Sequence, residues 1–226
     1  MARTPDRKSS APLSTLADRA YAAIEEMIVD RQLEPGQMIS ENELGTTLGV
    51  GRTPVREAIA RLKHIGFVEV HSRRGVLVST IDPIKHLELL EVRLPLERDL
   101  VRHAVERATA ADIEELQGVA QKLAAAAREK ERLPYFQAKR ALHATEVRAA
   151  RNSILTTTMA SLHAQSRRFW QSYEPTSSFA QGAALHDRIA KAIAARDGDA
   201  AEEGVERLFA FLQNLTTLVV RRQHFE

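Results

Sequence analysis

Apolar residues in this chain recur at two different periods, and the places where the period changes divide it. Val55, Ala58, Ile59 and Leu62 return at the three- and four-residue spacing of a helix that buries one face. After Ile65-Gly66-Phe67 the period becomes two. Val68-Glu69-Val70-His71 and Gly75-Val76-Leu77-Val78, joined through Ser72-Arg73-Arg74, predict a β-hairpin with a basic tip. From Asp82-Pro83 onward the helical period returns and holds to the end. It predicts helices over about 83–107, 110–130, 134–150, 153–173, 179–196 and 199–222. The breaks fall at Thr109, at Leu133-Pro134, at Arg151-Asn152, at Glu174 to Ser178 and at Asp197-Gly198-Asp199.

The segment around Gly49 has its own signature. Ser40 followed by Glu43 is a capping box and opens a short helix through Leu48. Gly49 tolerates the positive φ that ends it, and Val50 is an apolar plug between two packed helices. The next helix starts at Gly51, with Pro54 in its first turn, where a missing N–H removes no helical bond. This is a helix-turn-helix, and Arg52, Thr53 and Arg56 lie off its apolar face at the helix N-terminus. Those positions point into a major groove when such a helix docks on B-DNA. A hairpin directly after it is a wing, able to lay Arg74 and the bare backbone of Gly75 against phosphate or the minor groove. Asn42, on the preceding helix, is a weaker candidate for a further contact.

Charge supports the reading through its distribution rather than its total. The net charge of the 226 residues is only +2, but between Leu48 and Val78 six Lys and Arg face two acidic residues, a local excess of +4. Arg61 and Lys63 fit a solvated helix face. Each of Arg52 and Arg56 has two open readings, bidentate guanine recognition or a phosphate clamp. Cysteine is absent, which excludes disulfides and thiolate chemistry. There is no Gly-x-Ser-x-Gly elbow and no phosphate-binding glycine loop, so an enzyme is not expected. No apolar run reaches the length of a membrane span, and a cytoplasmic protein without membrane contact is expected.

Glu34-Pro35-Gly36, Ser40 to Leu44, Val50 to Ile59 with Leu62, Gly66 and Gly75-Val76 together resemble the winged-helix domain of GntR-type bacterial transcriptional regulators. Gly51 stands where that family usually has serine, which costs a side-chain cap worth a few tenths of a kcal/mol. The order of winged helix and helical bundle is similar to the FadR subfamily, whose FCD-type domain binds a small effector, often a carboxylic acid, and mediates dimerisation. Leu90 to Glu97, Leu142-His143 with Asn152, and His186 with Ile189, Ala192, Ile193 and Asp197 carry that part of the resemblance.

The resemblance also implies a divalent metal held by one aspartate and three histidines. His143 and His186 fall where two of these histidines belong. Lys139 stands one helical turn before His143, in the place of the aspartate, and Leu208 stands where the last histidine should be. An ammonium repels a metal ion, and two imidazoles alone are an incomplete shell. A bound metal is therefore not expected, and no other cofactor is implied. Arg93, Lys139, His143 and His186 are instead expected to present positive charge directly to an anionic effector. Other readings remain for the same residues. Lys139 can snorkel to solvent, His143 and His186 can be core histidines, and His163 can be a substitute ligand or a core residue. Trp170, with Phe169 and Tyr173, reads first as packing and otherwise as a pocket wall or dimer contact.

The expected fold is mainly α: an N-terminal winged helix-turn-helix with a small β-hairpin wing and a C-terminal antiparallel bundle of about six helices. The expected domains are a disordered basic arm at 1–12, a DNA-binding domain at 13–80, and an effector-binding and dimerisation domain at 81–226. The expected function is a homodimer on a double-stranded, pseudo-palindromic operator, its DNA affinity set by a small anionic effector. The alternative is a constitutive DNA-binding protein whose bundle serves only as a dimerisation scaffold.

Overall fold

The computed structural model describes residues 15–72 and 75–225, so the basic arm and Arg73-Arg74 at the wing tip lie outside the described residues. The chain separates into two units. The first comprises residues up to Ile28 together with Gln32–Ser79, and the second comprises Val29–Arg31 and Thr80–Glu226.

In the first unit, helix α1 (Leu16–Val29) precedes a short strand β1 (Met38–Ile39), helix α2 (Glu41–Leu48) and helix α3 (Arg52–His64). Strands β2 (Val68–His71) and β3 (Gly75–Val78) follow. The capping box is present in both directions: Ser40 Oγ accepts from the Glu43 amide, and the Glu43 carboxylate accepts from the Ser40 amide. Gly49 closes α2 in the left-handed conformation at φ 64°, and Gly51 starts α3 without a side-chain cap. Val55, Ala58, Ile59 and Leu62 are all buried, as their spacing requires. Val50 is half-buried.

The expected two-stranded hairpin is the larger part of a three-stranded antiparallel sheet ordered β1-β3-β2. Val68 pairs with Val78 and Val70 with Val76 on one side of β3, and Met38 with Leu77 and Ile39 with Val76 on the other. At Gly75, φ is 103° and a Cβ would stand 2.9 Å from the Ile39 carbonyl oxygen, so only glycine lets β1 close against β3 there.

The second unit is helical throughout its described residues. It consists of α4 (Pro83–Arg107), α5 (Ala110–Glu129), α6 (Arg132–Ala149), α7 (Ser153–Tyr173), α8 (Phe179–Ala194) and α9 (Gly198–Phe225), with one 3₁₀ turn at Thr176–Ser178. Three starts are written in local caps. Asp82 accepts from the amides of Ile84 and Lys85, Thr109 and Asp112 form a reciprocal box, and Asn152 accepts from Ile154 and Leu155. Several ends are closed by arginines from elsewhere in the unit. Arg196 donates to the carbonyls of Val105 and Ala108 at the end of α4, and Arg132 to those of Trp170, Gln171 and Glu174 at the end of α7. Leu90, Val101, Leu116, Leu123, Tyr135, Leu142, Phe169, Phe179, Ile193 and Phe209 belong to one buried core.

Candidate functional site

Two sets of side chains carry the chemistry, one in each unit. On α3, Arg52, Thr53 and Arg56 are exposed while their neighbours Val55 and Ala58 are buried, so the helix presents them outward by its periodicity alone. Asn42 on α2 is also exposed. Sequence reasoning missed the partner of Arg56: its Nε donates to the Glu41 carboxylate of α2 at 2.6 Å. This tether crosses the turn and holds the guanidinium in one orientation. Arg61 is less free than a solvated face implies. It pairs with Asp18 at 2.8 Å and lies over the Tyr21 ring at 4.1 Å, tying α3 to α1. Gly75 lies close against β1, where a Cβ would meet the Ile39 carbonyl oxygen at 2.9 Å, and Arg74 is outside the described residues.

The second set lines a small cavity in the helical unit. Arg93 comes from α4, Phe136, Lys139 and His143 from α6, and His163, Ser166, Arg167 and Trp170 from α7. His186 comes from α8, and Leu208 and Leu212 from α9; the cavity measures about 20 Å³. An adjoining cavity of about 10 Å³ shares Arg93, His143, His186 and Leu208 and adds Glu97 and Glu146. Helical phase explains the convergence. Lys139, His143 and Glu146 follow one face of α6, His163, Ser166 and Trp170 one face of α7, and Arg93 and Glu97 one face of α4. All four sequence-selected residues, Arg93, Lys139, His143 and His186, meet at this cavity.

The structure brings in acidic partners that the sequence did not reveal. Arg93 donates to Glu97 at 2.5 Å and to Ser166 Oγ at 2.6 Å. Lys139 does not reach solvent: it is 6% exposed, and its Nζ donates to Glu174 at 3.0 Å. The other Glu174 oxygen accepts from the Tyr135 hydroxyl at 3.1 Å. Gly182 leaves room for this pair, since a Cβ there would sit 2.7 Å from the Tyr135 oxygen. The rings of Tyr135, Phe136 and Trp170 lie 5.6 to 5.9 Å from the ammonium.

Protonation follows from burial and these partners. Burial disfavours the Glu97 carboxylate, but His163 and Arg93 outweigh it and hold the group down at about 2. An ionised Glu97 can only accept, so the His163 Nε2 at 2.8 Å carries the proton that binds it. Burial, with Lys139 the next contribution, holds His186 down at about 3. Burial also drives His143 well below the usual imidazole range, and Glu146 well above the usual carboxylate range. The cavity walls therefore combine Arg93, Lys139 and Arg167 with the Glu97 carboxylate and the imidazoles of His143, His163 and His186. Three nitrogens in it have no hydrogen-bond partner: Arg93 Nε, His143 Nδ1 and His186 Nδ1.

The metal set implied by the resemblance is not supplied by these side chains. By the resemblance, Lys139 and Leu208 would stand in the places of two ligands. The His143 ring centroid lies 4.5 Å from that of His163 and 5.3 Å from that of His186, but His163 is turned to Glu97. Among the described residues, no three His, Asp or Glu side chains are arranged to hold a metal ion. No helix of the described residues is long and apolar enough to cross a membrane.

Comparison with known proteins agrees with both units. Residues 16–78 match the model for bacterial regulatory proteins of the gntR family, and residues 88–211 match the FCD domain. The chain is 25% identical to the HTH-type transcriptional repressor RspR of Escherichia coli over 86% of each protein. It is 32% identical to an HTH-type transcriptional regulator of Mycobacterium tuberculosis over 58% of this chain and 62% of that protein. It is 38% identical to the Nta operon transcriptional regulator of Aminobacter aminovorans over 38% and 41%. The chain thus spans less than two thirds of the length of these last two relatives. Among solved structures, Escherichia coli McbR/YncC shares the fold with a TM-score of 0.79 at 19% identity, covering 95% of this chain and all of the other. The family and the relatives are transcriptional regulators and not enzymes. The chain belongs to the gntR family of bacterial regulatory proteins and carries an FCD domain in its helical unit.

Proposed function

We propose that this transcriptional regulator is a homodimer that binds a pseudo-palindromic operator and changes its DNA affinity when a small carboxylate enters the helical unit. The observation that carries this reading is the set of three unpartnered nitrogens, on Arg93, His143 and His186, at one cavity. A buried polar group without a partner costs about 1–3 kcal/mol, and an anionic ligand recovers that cost by accepting from such groups. Lys139 donates to Glu174 and lines the same cavity. Arg52, Thr53 and Arg56 read or clamp the major groove, with Asn42 beside them and Arg74-Gly75 at the wing.

The test is a thermal-shift screen with a broad set of small mono- and dicarboxylates, followed by operator titration with each hit. A ligand at a hundred times its dissociation constant adds about 2.7 kcal/mol of stability. A hit that also shifts operator affinity supports the reading. Stabilisation by none of the set overturns it and favours a bundle that serves only as a dimerisation scaffold.

A further inference from the structure

The Lys139–Glu174 pair is built with unusual care for a group that faces a cavity. Both side chains are almost fully inaccessible, at 7% and 0%. Tyr135 orients the second carboxylate oxygen, Gly182 clears the space, and three aromatic rings surround the ammonium. Lys139 lies one turn before His143 on α6, and both line the same cavity as His186. Leu208 reaches the same space from α9 and borders His143 and His186 in both cavities.

We propose that the Lys139 ammonium, anchored on Glu174, is the resident cation of this cavity and does the work of the divalent metal that the resemblance implies. A tethered cation needs no supply from solution and cannot be chelated away. It also cannot offer an open coordination position, so any ligand here is held by hydrogen bonds from fixed donors instead of by a metal bond. Glu174, at the end of α7, replaces the carboxylate that Lys139 displaced from α6. The imidazoles of His143 and His186 stay as hydrogen-bonding groups. This inference does not depend on which effector binds, or on whether one does.

The full-length chain tests it directly. Purified without chelator, it is expected to contain no zinc, nickel or manganese by elemental analysis, and its melting temperature is expected to be unmoved by zinc or by chelator. Stoichiometric retained metal, or a zinc-dependent rise in melting temperature, overturns the proposal. The converse experiment is the double substitution Lys139→Asp with Leu208→His, which places a carboxylate and a third imidazole around His143 and His186. It is expected to bind zinc near-stoichiometrically and to regain with zinc the thermal stability it loses without it. A variant that keeps its helical circular dichroism yet binds no zinc shows that Lys139 does not occupy the cation position. If the variant is unfolded with and without zinc, the wild-type metal content and zinc titration still decide the question.

Discussion

Two ion pairs of similar length sit in opposite surroundings in this protein. Arg56 and Glu41 on the reading head are 2.6 Å apart with side chains 66% and 30% exposed, whereas Lys139 and Glu174 in the helical unit are 3.0 Å apart at 7% and 0%. In water the first pair contributes about 0–1 kcal/mol, so its value lies in aiming a guanidinium. DNA phosphate can replace Glu41 as the partner of Arg56 at little cost. The second pair has no water to fall back on. Removing one member leaves the other charged in an apolar shell, so the pair is an all-or-none element.

The contrast can be broken most sharply at Lys139. Lys139→Met is expected to lower unfolding free energy in urea by about 3–5 kcal/mol, because Glu174 is left buried and unpaired. Adding Glu174→Gln is expected to restore most of that loss, since an amide still accepts from Tyr135 without carrying charge. If the double variant is no more stable than the single one, uncompensated charge is not the cause.

Acidification gives the next largest effect and acts on the helical unit. His86, His143 and His186 have folded values depressed by burial, the first and last to about 3 from 6.5. Below pH 6.5 the unfolded chain takes up protons that the folded one refuses, so stability falls by about 1.4 kcal/mol per pH unit for each such histidine. Glu146 works the other way. Its folded value is raised, so its contribution is complete below pH 4.5 and declines as pH rises above that. Histidines outnumber it, and moving from pH 7.5 to 5.5 is expected to cost roughly 1–3 kcal/mol in chemical denaturation. Glu146→Gln is expected to steepen that loss; an unchanged slope would mean that Glu146 is ionised in the folded protein.

The smallest effect on stability is expected on the reading head. Arg52→Ala should change unfolding free energy by no more than about 0.5 kcal/mol. The same substitution should weaken DNA binding by about 1–3 kcal/mol if the side chain reads a base. Titrating operator variants over a range of salt separates the two open readings. Relaxed preference at one base pair identifies a base reader, and a uniform loss with a shallower salt dependence identifies a phosphate clamp.

Legibility in the sequence follows the distance over which each feature is determined. Asp82, Thr109 with Asp112, and Asn152 announce helix starts within three residues, and those starts were placed correctly. Three helices end one or two residues before their expected ends, because α5, α6 and α8 are closed by Lys130, Arg151 and Arg196 at φ 55°, 48° and 59°, not by the glycine that usually marks such a stop. Strand β1 is two residues long and shows no alternation, so it could not be seen before its pairing with β3. In the cavity, residues in helical phase were recognisable from the family resemblance, but their charge partners were not. Glu97 lies one turn from Arg93 and could have been suspected, since i,i+4 pairs share a face. Glu174 lies 35 residues from Lys139 on the far end of another helix, and no local pattern connects the two.

Trp170 is the chain's only tryptophan, and it lines the cavity 5.7 Å from the Lys139 ammonium. Ultraviolet excitation at the indole's absorption edge therefore samples a single place in the molecule. Its emission maximum and quenching report on the polarity and charge of that wall without a dye or a label. The protein carries its own optical gauge at the spot where its chemistry is most unusual.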